Sequence, residues 1–157
     1  MAKIKPLKEC PLFKNFSDKE IAVLSQIVSE KKIPAGTPLY IEGMIGETLF
    51  IIKKGSVQTS RNIPGVGERE LAAIKSGEYF GEMSLLAGGT REVSARTVEE
   101  TEFLTIDRED FQELLKTEAL IALRLVMALA LNLAEKTRGG LDQIDEYLAW
   151  KAGQEKD

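Results

Sequence analysis

Over residues 17–29, SDKEIAVLSQIVS, apolar side chains fall at Ile21, Leu24 and the pair Ile27/Val28, the spacing of one helical face. Ser17 stands where an N-cap belongs and Glu20 follows three residues later, so a short amphipathic helix is predicted. Leu12, Phe13 and Phe16, just ahead of it, are expected to anchor the core. From residue 31 to 107 the period changes to short β-rich runs: KKIPAG, TPLYIEG, ETLFIIKKG, SVQTSR, ERELAAIKSG, EYFGE, VSARTV and EFLTID. Strands recurring about every ten residues with turn signals between them predict an antiparallel barrel or jelly roll. Gly36, Gly43, Gly46, Gly55, Gly67 and Gly77 stand where runs end and are expected to supply positive φ at tight turns. The stretch NIPGVGE reads as an exposed hairpin loop.

After Asp107 the pattern becomes helical. DREDFQELL has an acidic, cap-like start, and TEALIALRLVMALALNLAEKTR is a longer helix expected to end at Gly139-Gly140. Between residues 119 and 134 only Arg124 and Asn132 are polar, so this helix must be covered on nearly every side. A bilayer needs roughly 20 apolar residues, and a stretch interrupted by Arg124 falls short of that. Leu120, Leu123, Met127, Ala130, Ala134 and Thr137 alternate spacings of three and four, the seam of a two-stranded helix pair. A homodimer through helix 117–138 is therefore expected. Leu141, Ile144 and Leu148, with Tyr147 and Trp150 nearby, predict a final short amphipathic helix. The resulting plan is a mainly β domain with flanking helices: an N-terminal helix, a β-roll over about 31–107, and a C-terminal helix pair over 107–138. Residues 139–157 form a short helical tail.

Composition narrows the chemistry. The 157 residues suffice for one domain, 43% hydrophobic and 29% charged content is that of a globular chain, and a formal charge of -4 gives no global field for nucleic acid or an anionic membrane. Any bound anion must be held locally. There is no histidine, which removes the usual imidazole base and the commonest zinc and haem ligand. Cys10 is the only cysteine, so no intrachain disulfide or four-thiolate cluster can form. No metal, no cofactor and no enzymatic activity are expected, since no nucleophile and base stand together. The start, MAKIKPLKECPLF, lacks the apolar stretch of a signal peptide, and a cytoplasmic location is expected.

The most informative stretch is GEYFGEMSLLAGGTREVSART, residues 77–97. A helical turn at 82–86, entered through Gly81, offers unpaired backbone N–H groups at its N-terminus to an anion. Arg91 follows Glu82 by nine residues, beyond Ala87-Gly88-Gly89, so the chain can fold back and bring a bidentate guanidinium to the same anion. A carboxylate beside a phosphate is useful if it meets a hydroxyl, and Glu82 could accept from a ribose 2′-OH. Together these features describe a phosphate with a neighbouring sugar hydroxyl.

FGEMSLLAGGTR resembles the phosphate-binding cassette of the cyclic-nucleotide-binding domain family, which occurs in bacterial catabolite activator proteins, cyclic-nucleotide-dependent kinases and gated channels. The resemblance covers nearly the whole chain: IPAGTPLYIEG and GETLFIIKKGSV match the roll, and TIDREDFQELL with the apolar helix after it matches the C-terminal pair. It implies a sensor that binds a cyclic nucleotide through residues 80–97 and signals to an unknown effector protein by moving helices 107–138 against the roll. Glu82 would take the ribose hydroxyl and Arg91 the phosphate. Gly81, Met83 and Ser84 would complete the floor, and Thr137, beside Lys136 on the lid helix, would reach a purine edge. One residue departs from the family pattern: a small side chain usually follows the cassette arginine, and here it is Glu92. Unit charges about 4 Å apart repel by roughly 4 kcal/mol at an effective dielectric near 20. Strand alternation would place Glu92 with Ser94, facing away from Arg91 and Val93. The family's cGMP-preferring members place Thr at this position, so cAMP is the expected ligand. The alternative is a degenerate fold that binds no nucleotide and serves for dimerisation or docking. Seventeen residues follow Gly140, too few for a helix-turn-helix pair, so no DNA binding is expected.

Overall fold

The computed structural model describes residues 3–155; the first two residues of the N-terminal stretch and residues 156–157 of the expected tail lie outside the described residues. Helix α1 (Ile4–Glu9) and a 3₁₀ turn at Pro11–Phe13 lead into α2 (Asp18–Ile27). The Ser17 capping box is formed: Ser17 N–H donates to Glu20 Oε2 at 2.7 Å and Glu20 N–H to Ser17 Oγ at 3.3 Å. Leu12, Phe13, Ile21 and Leu24 are buried, with Phe16 packed against them, so the anchoring role read from the sequence holds.

The β-rich region forms β1 (Val28–Ile33), β2 (Pro38–Tyr40), β3 (Thr48–Lys54), β4 (Ser56–Ile63), β5 (Gly67–Lys75), β6 (Tyr79–Phe80), β7 (Ser94–Thr97) and β8 (Thr101–Asp107). These make two antiparallel sheets of four strands, in the orders β1-β8-β3-β6 and β2-β7-β4-β5. The run Leu49-Phe50-Ile51-Ile52 in β3 does not alternate with polar residues because both faces of its sheet are covered. Leu49 and Ile51 join the cluster beneath the helices, together with Leu104 and Ile106 of β8. Phe50 and Ile52 face the second sheet, with Phe80 stacked on Phe50 at 5.1 Å and Phe103 edge-on at 5.5 Å. Each such side chain contributes about 1.5–3 kcal/mol on burial.

α3 (Glu82–Ala87) is the turn inside the cassette, and α4 (Arg108–Thr117) and α5 (Ala119–Gln154) close the roll. Ile121, Ala122, Leu125 and Leu129 of α5 pack into the helix-side cluster with Phe111 and Leu114 of α4. Arg124, the charge that interrupts the apolar stretch, reaches out to Glu20 at 3.0 Å and to the Asn15 carbonyl at 3.2 Å. Among the described residues no helix is long and apolar enough to cross a membrane.

Two expectations are corrected. The long helix does not stop at Gly139-Gly140, so residues 141–151 are not a separate short helix; α5 runs unbroken for 36 residues through both glycines. Gly46, grouped with the turn glycines, is not in the left-handed region, unlike Gly36, Gly43, Gly55, Gly67 and Gly77. The space around it gives the reason, as the site makes clear.

Candidate ligand-binding site

A cavity of about 640 Å³ opens between β5, the cassette and α5. That size lies within the range of small-molecule sites. Leu71 and Ile74 give it an apolar wall, Gly81–Ser84 and Arg91 form its floor, and Asn132 and Lys136 reach in from α5.

Arg91 is positioned by its backbone before its side chain acts. Its N–H donates to the Met44 carbonyl at 2.7 Å and its carbonyl accepts from Gly43 N–H at 2.8 Å, which locks the segment after α3 onto the β2–β3 loop. The side chain is 6% exposed, lies with its guanidinium carbon 4.0 Å from the centre of the Tyr40 ring, and donates Nη2 to the Thr48 carbonyl at 3.1 Å. Nε and Nη1 are buried and have no partner among the described residues. A buried guanidinium with unpaired donors is costly unless an anion meets them. Burial weakens its hold on the proton, with Tyr40 and Glu92 acting in the opposite sense. The Tyr40 hydroxyl is itself pushed up to about 12 by burial, so the ring stays neutral beneath the cation.

Two glycines make room for this arginine. A Cβ on Gly46 would fall 1.8 Å from Arg91 Nε, so the position requires glycine for space and not for φ. Gly81 enters α3 at φ 87, and a Cβ there would lie 2.6 Å from the Thr48 carbonyl and 2.9 Å from Arg91 Nη1. Glu82, at the first position of α3, is buried, as is Ser84, whereas Met83 is half exposed at the mouth. The N–H groups of Met83 and Ser84 belong to the first turn, where no intrahelical acceptor exists.

The structure therefore brings Gly81, Glu82, Met83, Ser84 and Arg91 to one cavity. Glu92 lines it too, with an exposed side chain, so its carboxylate stands at the rim. The alternation argument does not place it, because β7 begins only at Ser94 and residues 92–93 form a bend. Thr137 does not join the cavity: it is exposed, and its Oγ1 donates to the Leu133 carbonyl one turn back. Its neighbour Lys136 does, with Nζ 2.8 Å from Glu82 Oε1 and 5.8 Å from the Tyr79 ring centre. Sequence reasoning missed Tyr40, Gly46, Asn132 and the Lys136–Glu82 pair. Asn132 was legible as a polar residue in an apolar helix; its Oδ1 is buried, with no partner among the described residues.

A roll of two antiparallel sheets closed by helices, with a glycine-entered helical turn and a buried arginine at its cavity, defines a small-ligand sensor fold. Residues 30–118 match the family described as cyclic nucleotide-binding domain, and the chain belongs to that family. It is 37% identical over 129 residues to the cyclic AMP receptor protein of Thermus thermophilus, covering 82% of this chain and 60% of that protein. To cGMP-dependent protein kinase, isozyme 1, of Drosophila melanogaster it is 29% identical over 112 residues, 69% of this chain and 15% of the kinase. Among solved structures, a cyclic nucleotide-binding domain from Methylobacillus flagellatus aligns at TM-score 0.80 with 26% identity, covering 90% of this chain and 80% of that one. Catabolite activator protein of Thermus thermophilus aligns at 0.73 with 36% identity, covering 86% and 63%. The chain thus spans 60% of the first of these curated relatives and 15% of the second, less than two thirds of either.

Proposed function

We propose that this chain is a sensor that binds cAMP in preference to cGMP and passes the occupancy of its pocket to a partner through α4 and α5. The observation that carries this reading is the Arg91 guanidinium, buried with two unpaired donors at the floor of a nucleotide-sized cavity. Glu82, at the start of the same turn, supplies an acceptor for a sugar hydroxyl. The similarity to a cyclic AMP receptor protein supports cAMP as the ligand. Arg91 fixes the phosphate, the first turn of α3 adds N–H donors, and the apolar wall of β5 covers the base.

A second reading has its own observation. Glu92 holds a carboxylate at the rim beside Arg91, where it opposes an incoming phosphate as it favours the guanidinium. A pocket closed by that charge would leave a docking or dimerisation module. Titration calorimetry with cAMP and cGMP separates the two. On the sensor reading the wild type binds cAMP, Arg91→Ala weakens binding by at least about a hundredfold, and Glu92→Ser tightens it. A wild type that binds neither nucleotide, with binding gained in Glu92→Ser, establishes the degenerate module. Binding to Arg91→Ala as tight as to the wild type sinks the site.

The sensor acts as a homodimer along α5. Leu120, Leu123 and Met127 of the seam are 79%, 53% and 53% exposed, and because the helix does not break, Leu141, Ile144 and Leu148 continue the same spacing of three and four. Flanking the distal seam, only Arg138 and Asp145 are charged, so no row of like charge opposes pairing. A monomer in sedimentation at tens of micromolar would remove the dimer.

A further inference from the structure

α5 touches the roll only through its first half. Leu129 is its last fully buried residue, Asn132 and Leu133 are half-buried, and from 134 to 154 every residue but Gly140 is exposed. Among the described residues, side-chain polar links tie α5 to other elements at two places. Arg124 reaches Glu20 and the Asn15 carbonyl near its start, and Lys136 reaches Glu82 just where the helix leaves the roll.

That second link is asymmetric. The Glu82 side chain is 8% exposed and the Lys136 side chain 54%. Lysine could turn to water at little cost, whereas the buried carboxylate cannot lose its cation without a large desolvation penalty. The pair therefore holds because Glu82 needs it. Lys136 engages Oε1 alone; Oε2 has no hydrogen bond among the described residues and remains available to a hydroxyl. An arriving phosphate adds a further negative charge near Glu82, which strengthens the requirement for Lys136. Covering the pair with a bound molecule also excludes water and raises its electrostatic strength.

We infer that Lys136 is a positioning residue that clasps α5 to the cassette through the carboxylate that meets the ligand's sugar, so that an occupied pocket tightens the helix at its point of departure. The ligand half of this inference rests on the proposed function; the clasp itself does not.

Amide hydrogen exchange over residues 130–138 of the full chain tests both halves. Without nucleotide, Lys136→Met should exchange about tenfold faster there than wild type, and Lys136→Arg should restore the slow rate. Adding cAMP should slow the segment in wild type and leave it unchanged in Lys136→Met, which binds cAMP about tenfold more weakly. Equal exchange in unliganded wild type and Lys136→Met would overturn the clasp. Tighter cAMP binding by Lys136→Met would overturn the tightening and make Lys136 a competitor. A wild type that shows no binding overturns the occupancy half together with the nucleotide reading, while faster exchange in Lys136→Met would still establish the clasp.

Discussion

The pocket around Arg91 and the distal half of α5 each hold two glycines, and the two pairs serve differently in space. Gly46 and Gly81 stand where a single added carbon would strike Arg91 or the Thr48 carbonyl. Gly139 and Gly140 lie inside a continuous helix with nothing within 4 Å of an added Cβ. The first pair is fixed by an arginine that must pass through the space a side chain would take. The second pair meets no such demand from its own chain, and it weakens a helical segment that the roll does not support. Steric constraint is therefore concentrated at the pocket and absent around the glycines of the extension.

The sharpest way to break this contrast is at Gly46. Gly46→Ala should displace the Arg91 side chain, lower stability by about 1–3 kcal/mol in urea unfolding, and abolish any cAMP heat in calorimetry. Retained stability and retained binding would mean that the cassette tolerates what its geometry forbids. At the other end, the double change Ile144→Glu and Leu148→Glu touches residues 54% and 53% exposed in the protomer, so folding should be unaffected. The dimer dissociation constant from sedimentation equilibrium should rise at least about tenfold, about 1.4 kcal/mol. Gly139→Ala and Gly140→Ala should each stabilise the distal helix by about 1 kcal/mol, seen as increased helical circular dichroism, with cAMP affinity unchanged. The smallest effect concerns pH. Glu20 is held below its ordinary value of 4.5, first by the backbone N–H of Ser17, so its contribution is present above that value and disappears as acid protonates it. Glu20→Gln should flatten the fall of the unfolding midpoint below about pH 4.5.

What could be read from the sequence follows the range of the interaction involved. The strand runs, the Ser17 capping box and the cassette turn are set by neighbours a few residues apart and stand close to where the pattern placed them, except that β1 begins at Val28, inside the stretch read as helix. Gly46 was seen as a turn glycine because its true constraint comes from Arg91, brought beside it only by the pairing of the β2–β3 loop with the segment after α3. Tyr40 reads as an ordinary strand aromatic until that arginine lies on it. Lys136 and Glu82 are separated by 54 residues, and choosing Thr137 instead missed by one position on a helix whose rotation the sequence does not specify. At Gly139-Gly140 the local preference to stop a helix was overridden, although the spacing of three and four on either side of them was visible without a break in register.

The length of α5 would carry any movement at the pocket over a distance. From Lys136 to Gln154 the helix extends about 27 Å at 1.5 Å per residue, free of the roll along that whole distance. Pivoting by about 10° at the clasp would swing the far end by about 5 Å, several times the movement at the pivot itself. The chain thus has the proportions of a lever with its fulcrum at the ligand pocket, and a sub-ångström adjustment at Glu82 can be read as a displacement of ångströms at Trp150.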